Sequence, residues 1–287
     1  MNRQITLLII DPQNDFCDLP EAWRAPDPVR NALAAPALPV SGAHADMQRL
    51  ATLIDAGGAG ISSIIVTLDS HQRYDIAHPT FWRTGAGEAV SPFTAITAAQ
   101  VRAGSYAPRD PAALPRTLAY LDALERAGRY TLMVWPVHCE IGSWGHNVHP
   151  AVRAAYNRWE DQCLGVVQKV IKGTNPRTEH YSALQAEVPD VADPDTQLNR
   201  DLITQLDGAD LIVIAGEASS HCVKATTEHI AQYLPSRELG KLLLVSDAMS
   251  PVAGFEAQAQ AFLDDMRRQG ARSATCADVL PLLLANA

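Results

Sequence analysis

Short runs that are apolar at almost every position recur along this chain, and they restrict its fold more than any other feature. SIIVTL (63–68), DLIVIA (210–215) and KLLLVS (241–246) lack the in–out alternation of half-exposed strands. Such runs fit strands buried on both faces, as in a parallel sheet covered by helices. Read with the turn residues that bound them, the runs predict strands over 5–10, 61–68, 130–135, 165–171, 209–215 and 241–245, with a weaker one at 271–276. Helical periodicity fills the intervals at 45–56, 111–127, 151–159, 195–206, 222–233 and 254–269. Strand alternating with helix predicts an α/β, three-layer, Rossmann-like fold: a mostly parallel six-stranded sheet with helices on both faces.

Two segments exceed what a minimal chain of this kind needs. Residues 18–43 are rich in proline and alanine, and residues 72–111 in glycine, proline and aromatics. Connections of this length in a compact domain serve as lids, binding loops or oligomer arms. The βα rhythm resumes after each, so 1–287 read as one domain with long insertions at about 18–43 and 72–111.

Composition removes several function classes. The formal net charge is -9, with no cluster of Lys and Arg, which argues against a nucleic-acid or anionic-membrane surface. No stretch reaches the roughly 20 apolar residues needed to span a bilayer, and the N-terminal apolar run is short and ends at an acid, unlike a secretory signal. The five cysteines form no C-x-x-C pair, which argues against a disulfide framework. A reducing cytoplasm is the expected setting, with a small molecule as partner and a homo-oligomer compatible with the insertions.

In an open parallel sheet, ligands bind outside the carboxyl ends of the strands. The expected strand ends here lead to Asp11, to Asp69 and His71, to Trp135 and His138, to Lys172, and to GEASSHCVKAT with Cys222. A lone cysteine is more often a packing residue than a nucleophile. Asp11 and Lys172 at sister strand ends reverse that balance, because a cation stabilises a thiolate and a carboxylate can shuttle its proton. The start of a helix at Cys222 would further lower the thiol pKa and offer free amides to an oxyanion. Asp69, His71 and His138 suit zinc, iron(II) or manganese with open positions; His78 is either a fourth ligand or a loop histidine. His146, His149, His180, His221 and His229 have no matching partner and read as surface, packing or capping residues.

IIDPQNDFC (9–17), TLDSH (67–71) with HPTFW (78–82), WPVHC (135–139), VIKG (170–173) and EASSHCVKAT (217–226) together resemble the nicotinamidase branch of the isochorismatase-like cysteine hydrolases. The resemblance implies Asp11 as proton shuttle, Lys172 as thiolate stabiliser and Cys222 as nucleophile, with the amides of Ala218 and Cys222 as the oxyanion hole. It further implies one divalent metal, zinc first and iron or manganese next, on Asp69, His71 and His138. Phe16 and Trp135 match positions whose rings flank a pyridine. A cis peptide is implied before Ala218. Two departures stand out: Glu217 replaces a small or aliphatic residue, and EIGSWGHNVHP (140–150) replaces the commoner Q-G-T continuation.

These features point to hydrolysis of a small carboxamide, nicotinamide foremost, to its acid and ammonia through a cysteine thioester. One alternative keeps the triad and changes the substrate to another amide, an N-carbamoyl or a ureido compound. Another makes the chain a catalytically silent binding or scaffold protein, for which the intact Asp11–Lys172–Cys222 set has no use.

Overall fold

In the computed structural model, which describes residues 2–287, the first apolar run forms β1 (Ile5–Ile10), buried at every position. Five strands join it: β2 (Ser63–Asp69), β3 (Gln168–Lys172), β4 (Leu211–Gly216), β5 (Leu242–Val245) and β6 (Arg272–Ala274). They lie in the order β6-β5-β4-β1-β2-β3, and every pairing is parallel. Parallel neighbours need crossover connections, which the helices supply.

These are α1 (Ala43–Gly57), α2 (Leu114–Ala127), α3 (Pro150–Cys163), α4 (Arg200–Asp207), α5 (Cys222–Tyr233), α6 (Glu256–Arg268) and α7 (Cys276–Leu284). Side chains alternate across a strand, so β1 feeds two cores. Ile5, Leu7 and Ile9 pack with Leu50 of α1, Val152 of α3 and Leu283 of α7. Leu8 and Ile10 pack with Leu202 of α4, Ile230 of α5 and Phe262 of α6. Chain order reverses between β1 and β4, and a crevice opens at their carboxyl ends.

Three expectations need correction. The run at 130–135 does not enter the sheet: Leu132–Val134 pairs antiparallel with Thr94–Ile96. The place beside β2 is taken by β3 instead, and the weak run near 271–276 supplies β6 at the opposite edge. The sheet is therefore wholly parallel. The segment 72–111 is no bare loop. It carries one antiparallel ribbon, one strand of a second and a short helix, Ala98–Arg102, and builds a third core with α2 around Phe81, Trp82, Ile96 and Leu121. Helix α7, absent from the helical periodicity, is set by a capping box between Thr275 and Asp278.

Among the described residues, no helix is long and apolar enough to cross a membrane.

Candidate active site

Asp11 follows β1 with φ of 45°, a left-handed conformation that Asp tolerates better than most residues. Thr67 on β2 fixes it from both sides: the Asp11 N–H donates to Thr67 Oγ1 (3.0 Å), and that hydroxyl donates to Asp11 Oδ1 (2.5 Å). Gln13 does the same for the neighbouring strand end. Its amide donates to the Asp69 carbonyl and accepts from the Asp69 N–H, both at 2.8 Å. The two strand ends are thus tied together where the backbone ladder stops.

Lys172, at the end of β3, reaches into this space and is buried. Its Nζ lies 3.0 Å from Asp11 Oδ2, 2.9 Å from Asp69 Oδ1 and 3.6 Å from Cys222 Sγ, and donates to the His180 carbonyl at 2.9 Å. The three expected members of the triad, drawn from β1, β3 and the start of α5, therefore meet. Burial opposes the Lys172 charge, but Asp11, Asp69 and Cys222 hold its pKa well above the ordinary lysine value. For Asp69, too, burial is outweighed, and His71 and Lys172 hold its pKa well below the usual carboxylate range. Asp11 is different: burial raises its pKa, and the neighbouring Lys172 does not fully offset this.

The thiol departs from expectation. Burial pushes the Cys222 pKa well above its ordinary value against the pull of Lys172, and Asp11 and Asp69 add to the rise. A helix start and one cation are not enough when two carboxylates share the pocket.

Cys222 opens α5, and His221 before it supplies no side-chain cap. Among the described residues, no acceptor takes the N–H of Ala218 or of Cys222, whereas the Ala218 carbonyl accepts from both His221 and Val223. Two free amides thus stand beside the sulfur, and such donors stabilise developing oxyanions. The Glu217–Ala218 peptide is cis, as the resemblance implies.

Asp69 links this cluster to an imidazole group. Its Oδ2 lies 3.0 Å from His71 Nε2 and 3.3 Å from His138 Nε2. Ligands about 2.1 Å from a common metal sit about 3.0–3.4 Å apart along a coordination edge, so these spacings fit one. One ligand atom from each of His71, His78 and His138 also lies within 4.8 Å of the others, so His78 joins the group. Each of the three rings turns Nδ1 toward an oxygen outside the group: Asp75 Oδ2 (3.1 Å), the Gln72 carbonyl (3.2 Å) and the Pro136 carbonyl (2.9 Å). For His71 and His138 an N–H donated outward leaves Nε2 as a lone pair, the second-shell arrangement of metal-ligating histidines; His78 Nε2 instead accepts the His138 N–H at 3.4 Å and lies 3.2 Å from His138 Nδ1. Burial, reinforced by His138 and His71, lowers the His78 pKa to about 2, which keeps it neutral. His71 behaves oppositely. Burial favours its neutral form, but Asp69 and Asp75 on either side raise its pKa well above the ordinary value. The donor set fits a divalent cation.

A small cavity of about 20 Å³ lies against Cys222, lined by Phe16, Trp135 and His138 and by Leu38 from the first insertion. Trp135 is held by its Nε1 on Tyr181 Oη (3.0 Å) and by its N–H on the Ala77 carbonyl (2.7 Å) of the second insertion. Sequence reasoning missed Tyr181, Glu179 and His221, all of which line this cavity. From sequence alone His221 reads as a surface, packing or capping residue; its position next to Cys222 is the available signal. Glu179 and Tyr181 sit in 173–199, a connection that shows no periodicity. Glu179 Oε1 accepts the His180 N–H (2.9 Å), while its Oε2 is buried without a partner.

His146 and His149 take the bland roles expected. His146 Nε2 bonds Ser70 Oγ at 2.8 Å, and His149 caps α3.

No protein-family model matches the sequence, and no curated protein matches it. Solved structures do match its fold. The yeast nicotinamidase bound to the inhibitor nicotinaldehyde superposes with a TM-score of 0.62 at 17% identity, over 95% of this chain and 100% of that one. An Acinetobacter baumanii nicotinamidase/pyrazinamidase gives 0.60 at 17% identity, over 96% and 98%. The Pyrococcus horikoshii pyrazinamidase in complex with zinc gives 0.52 at 16% identity, over 95% and 99%. A structure described as an isochorismatase-family protein shares the fold as well. The chain has the isochorismatase-like hydrolase fold, in the form that nicotinamidases carry.

Proposed function

We propose that the chain is a cysteine amidohydrolase that converts a small planar carboxamide, nicotinamide first among candidates, to its acid and ammonia. One observation carries the reading: Lys172 Nζ stands 3.0 Å from Asp11 and 3.6 Å from Cys222 Sγ, next to two unpaired amides. That combination supplies a base, a nucleophile and an oxyanion site.

In the proposed reaction, Asp11 takes the Cys222 proton as the sulfur attacks the amide carbon. Lys172 holds the negative charge that is passed between them. The N–H groups of Ala218 and Cys222 receive the oxyanion, which collapses as Asp11 returns the proton to the departing ammonia. Water then attacks the thioester, with Asp11 again as base, and the acid leaves. Phe16 and Trp135 present ring surfaces against which a flat substrate can stack. Asp69, His71 and His138, with His78 beside them, would hold the divalent cation, zinc being the first candidate. When bound, it supplies a Lewis-acidic centre that can hold a ring nitrogen or water at the pocket floor.

The unpartnered Glu179 oxygen favours a second substrate class. It would accept an N–H from a substrate richer in donors than nicotinamide, such as an N-carbamoyl or ureido compound. A panel of such compounds alongside nicotinamide and pyrazinamide, with ammonia release as readout, decides between the classes. The Cys222→Ala variant should lose turnover entirely yet bind zinc as tightly as the unsubstituted chain. Undiminished hydrolysis by this variant would sink the assignment.

A further inference from the structure

Behind the turn that carries the free amides lies a carboxyl group the reaction does not use. Glu217 is fully buried, and its N–H donates to the Ile10 carbonyl at 2.8 Å. Its Oε2 accepts the Ser250 N–H at 3.0 Å, and the Ser250 carbonyl accepts the Ser219 N–H at 2.9 Å. Ser250 Oγ in turn donates to Asp46 Oδ2 of α1 at 2.6 Å, and Asp46 is paired with Arg49. The segment from 217 to 219 is thereby pinned at both of its ends to one residue, Ser250, which is itself anchored to α1.

The second carboxyl oxygen of Glu217, Oε1, is buried with no partner. Burial, followed by the charge of Asp46, raises the Glu217 pKa well above the ordinary value, with Asp18 adding to it. A small or aliphatic side chain, the more usual occupant of this position in the resembled family, could not accept the Ser250 N–H.

We infer that Glu217 is a positioning residue for the oxyanion site: its carboxyl clamps the turn onto Ser250, which Asp46 holds to α1, and so aims the Ala218 N–H at the reacting carbonyl. The inference rests on the amidohydrolase reading above. Glu217 touches no substrate, so its loss acts on the transition state and spares ground-state binding.

The test uses the full-length metal-loaded protein and a carboxamide that it hydrolyses. Glu217→Leu should lower kcat about 10²-fold, the scale expected when a reacting group is misaligned by about 1 Å, with KM essentially unchanged. Glu217→Gln, which can still accept from Ser250, should restore kcat to near the unsubstituted value. An aldehyde analogue of the substrate, pyridine-3-carbaldehyde, adds to Cys222 and places an oxyanion on the same amides. Its affinity should fall with kcat in Glu217→Leu, while the affinity of the product acid does not. Should Glu217→Leu not fold, Asp46→Ala is expected to lower kcat at constant KM by removing the clamp's far end. Equal losses in Gln and Leu variants, an unchanged kcat in Leu or Ala, or a change confined to KM would each overturn the inference while leaving the amidohydrolase reading intact. Absence of amidase activity in the unsubstituted protein overturns both.

Discussion

Replacing Lys172 by methionine removes one charge at nearly constant volume, and the structure sets the size of the effect. Nζ sits 3.0 Å from Asp11 Oδ2 and 2.9 Å from Asp69 Oδ1, and all three residues are buried. Without the cation Asp11 faces a dry pocket with no counter-charge, and Asp69 keeps only the neighbouring His71. Removing one partner of a buried pair costs about 3–5 kcal/mol, because the other partner stays buried and uncompensated. At roughly 2–4 °C per kcal/mol for chains of this size, Lys172→Met should melt about 6–20 °C lower near neutral pH. The measurement belongs on chelator-treated protein, so that no metal replaces the missing charge.

The pH dependence carries the sign. In the variant the folded pKa of Asp11, already raised by burial, rises further above its unfolded value. The penalty is then fully present above that folded pKa and disappears as the pH falls through it. The gap to the unsubstituted protein must therefore narrow on acidification from pH 8 to pH 5. Equal melting temperatures at pH 7, or a gap that widens as the pH falls, would refute the reasoning.

Asp75→Asn removes the carboxylate behind His71 Nδ1 (3.1 Å) and should weaken metal binding by about 10–100-fold, read by competition with a chelating dye. Gly216→Ala places a Cβ 2.0 Å from the Ile10 carbonyl at a φ of +121°, forcing β1 and β4 apart. A loss of about 1–3 kcal/mol or more in urea unfolding is expected. Tyr181→Phe strips the Trp135 indole of its acceptor, costing about 1–3 kcal/mol of stability for a buried unpaired N–H and raising KM through a loosened pocket wall.

The sheet was legible where its strands are buried on both faces, because continuous apolar runs have few other uses. Leu7 and Leu8 serve opposite cores from adjacent positions, and that demand is written directly into the residues. The edge was harder. On β3, Gln168, Lys169 and Ile171 are exposed, so its pattern is weaker than that of 130–135, whose apolar side chains are buried in a ribbon instead. Periodicity records burial and does not record the partner. The triad and most of the imidazole group were visible because strand ends converge whatever the loops do. Thr67 and Gln13 were not, since their value lies in hydrogen bonds to backbone 56 residues away. Glu179 and Tyr181 were hidden for a related reason: the irregular stretch that holds them is placed by tertiary contacts alone. The thiol pKa was misjudged because the sequence names charges without giving the depth at which they are buried.

The reversal of strand order between β1 and β4 has a consequence for how the molecule comes to life. The chain up to residue 172 contributes Asp11, the imidazole group and Lys172; the part after 210 contributes Cys222 and both free amides. They meet only when Ile5 aligns with Leu211 and Ile10 with Gly216, among the most distant pairings in the sequence. Closing so long a loop is slow relative to local contacts. A nascent or half-folded chain thus carries the Cys222 thiol apart from Asp11 and Lys172, and on the proposed amidohydrolase reading activity would report that the two parts have locked together.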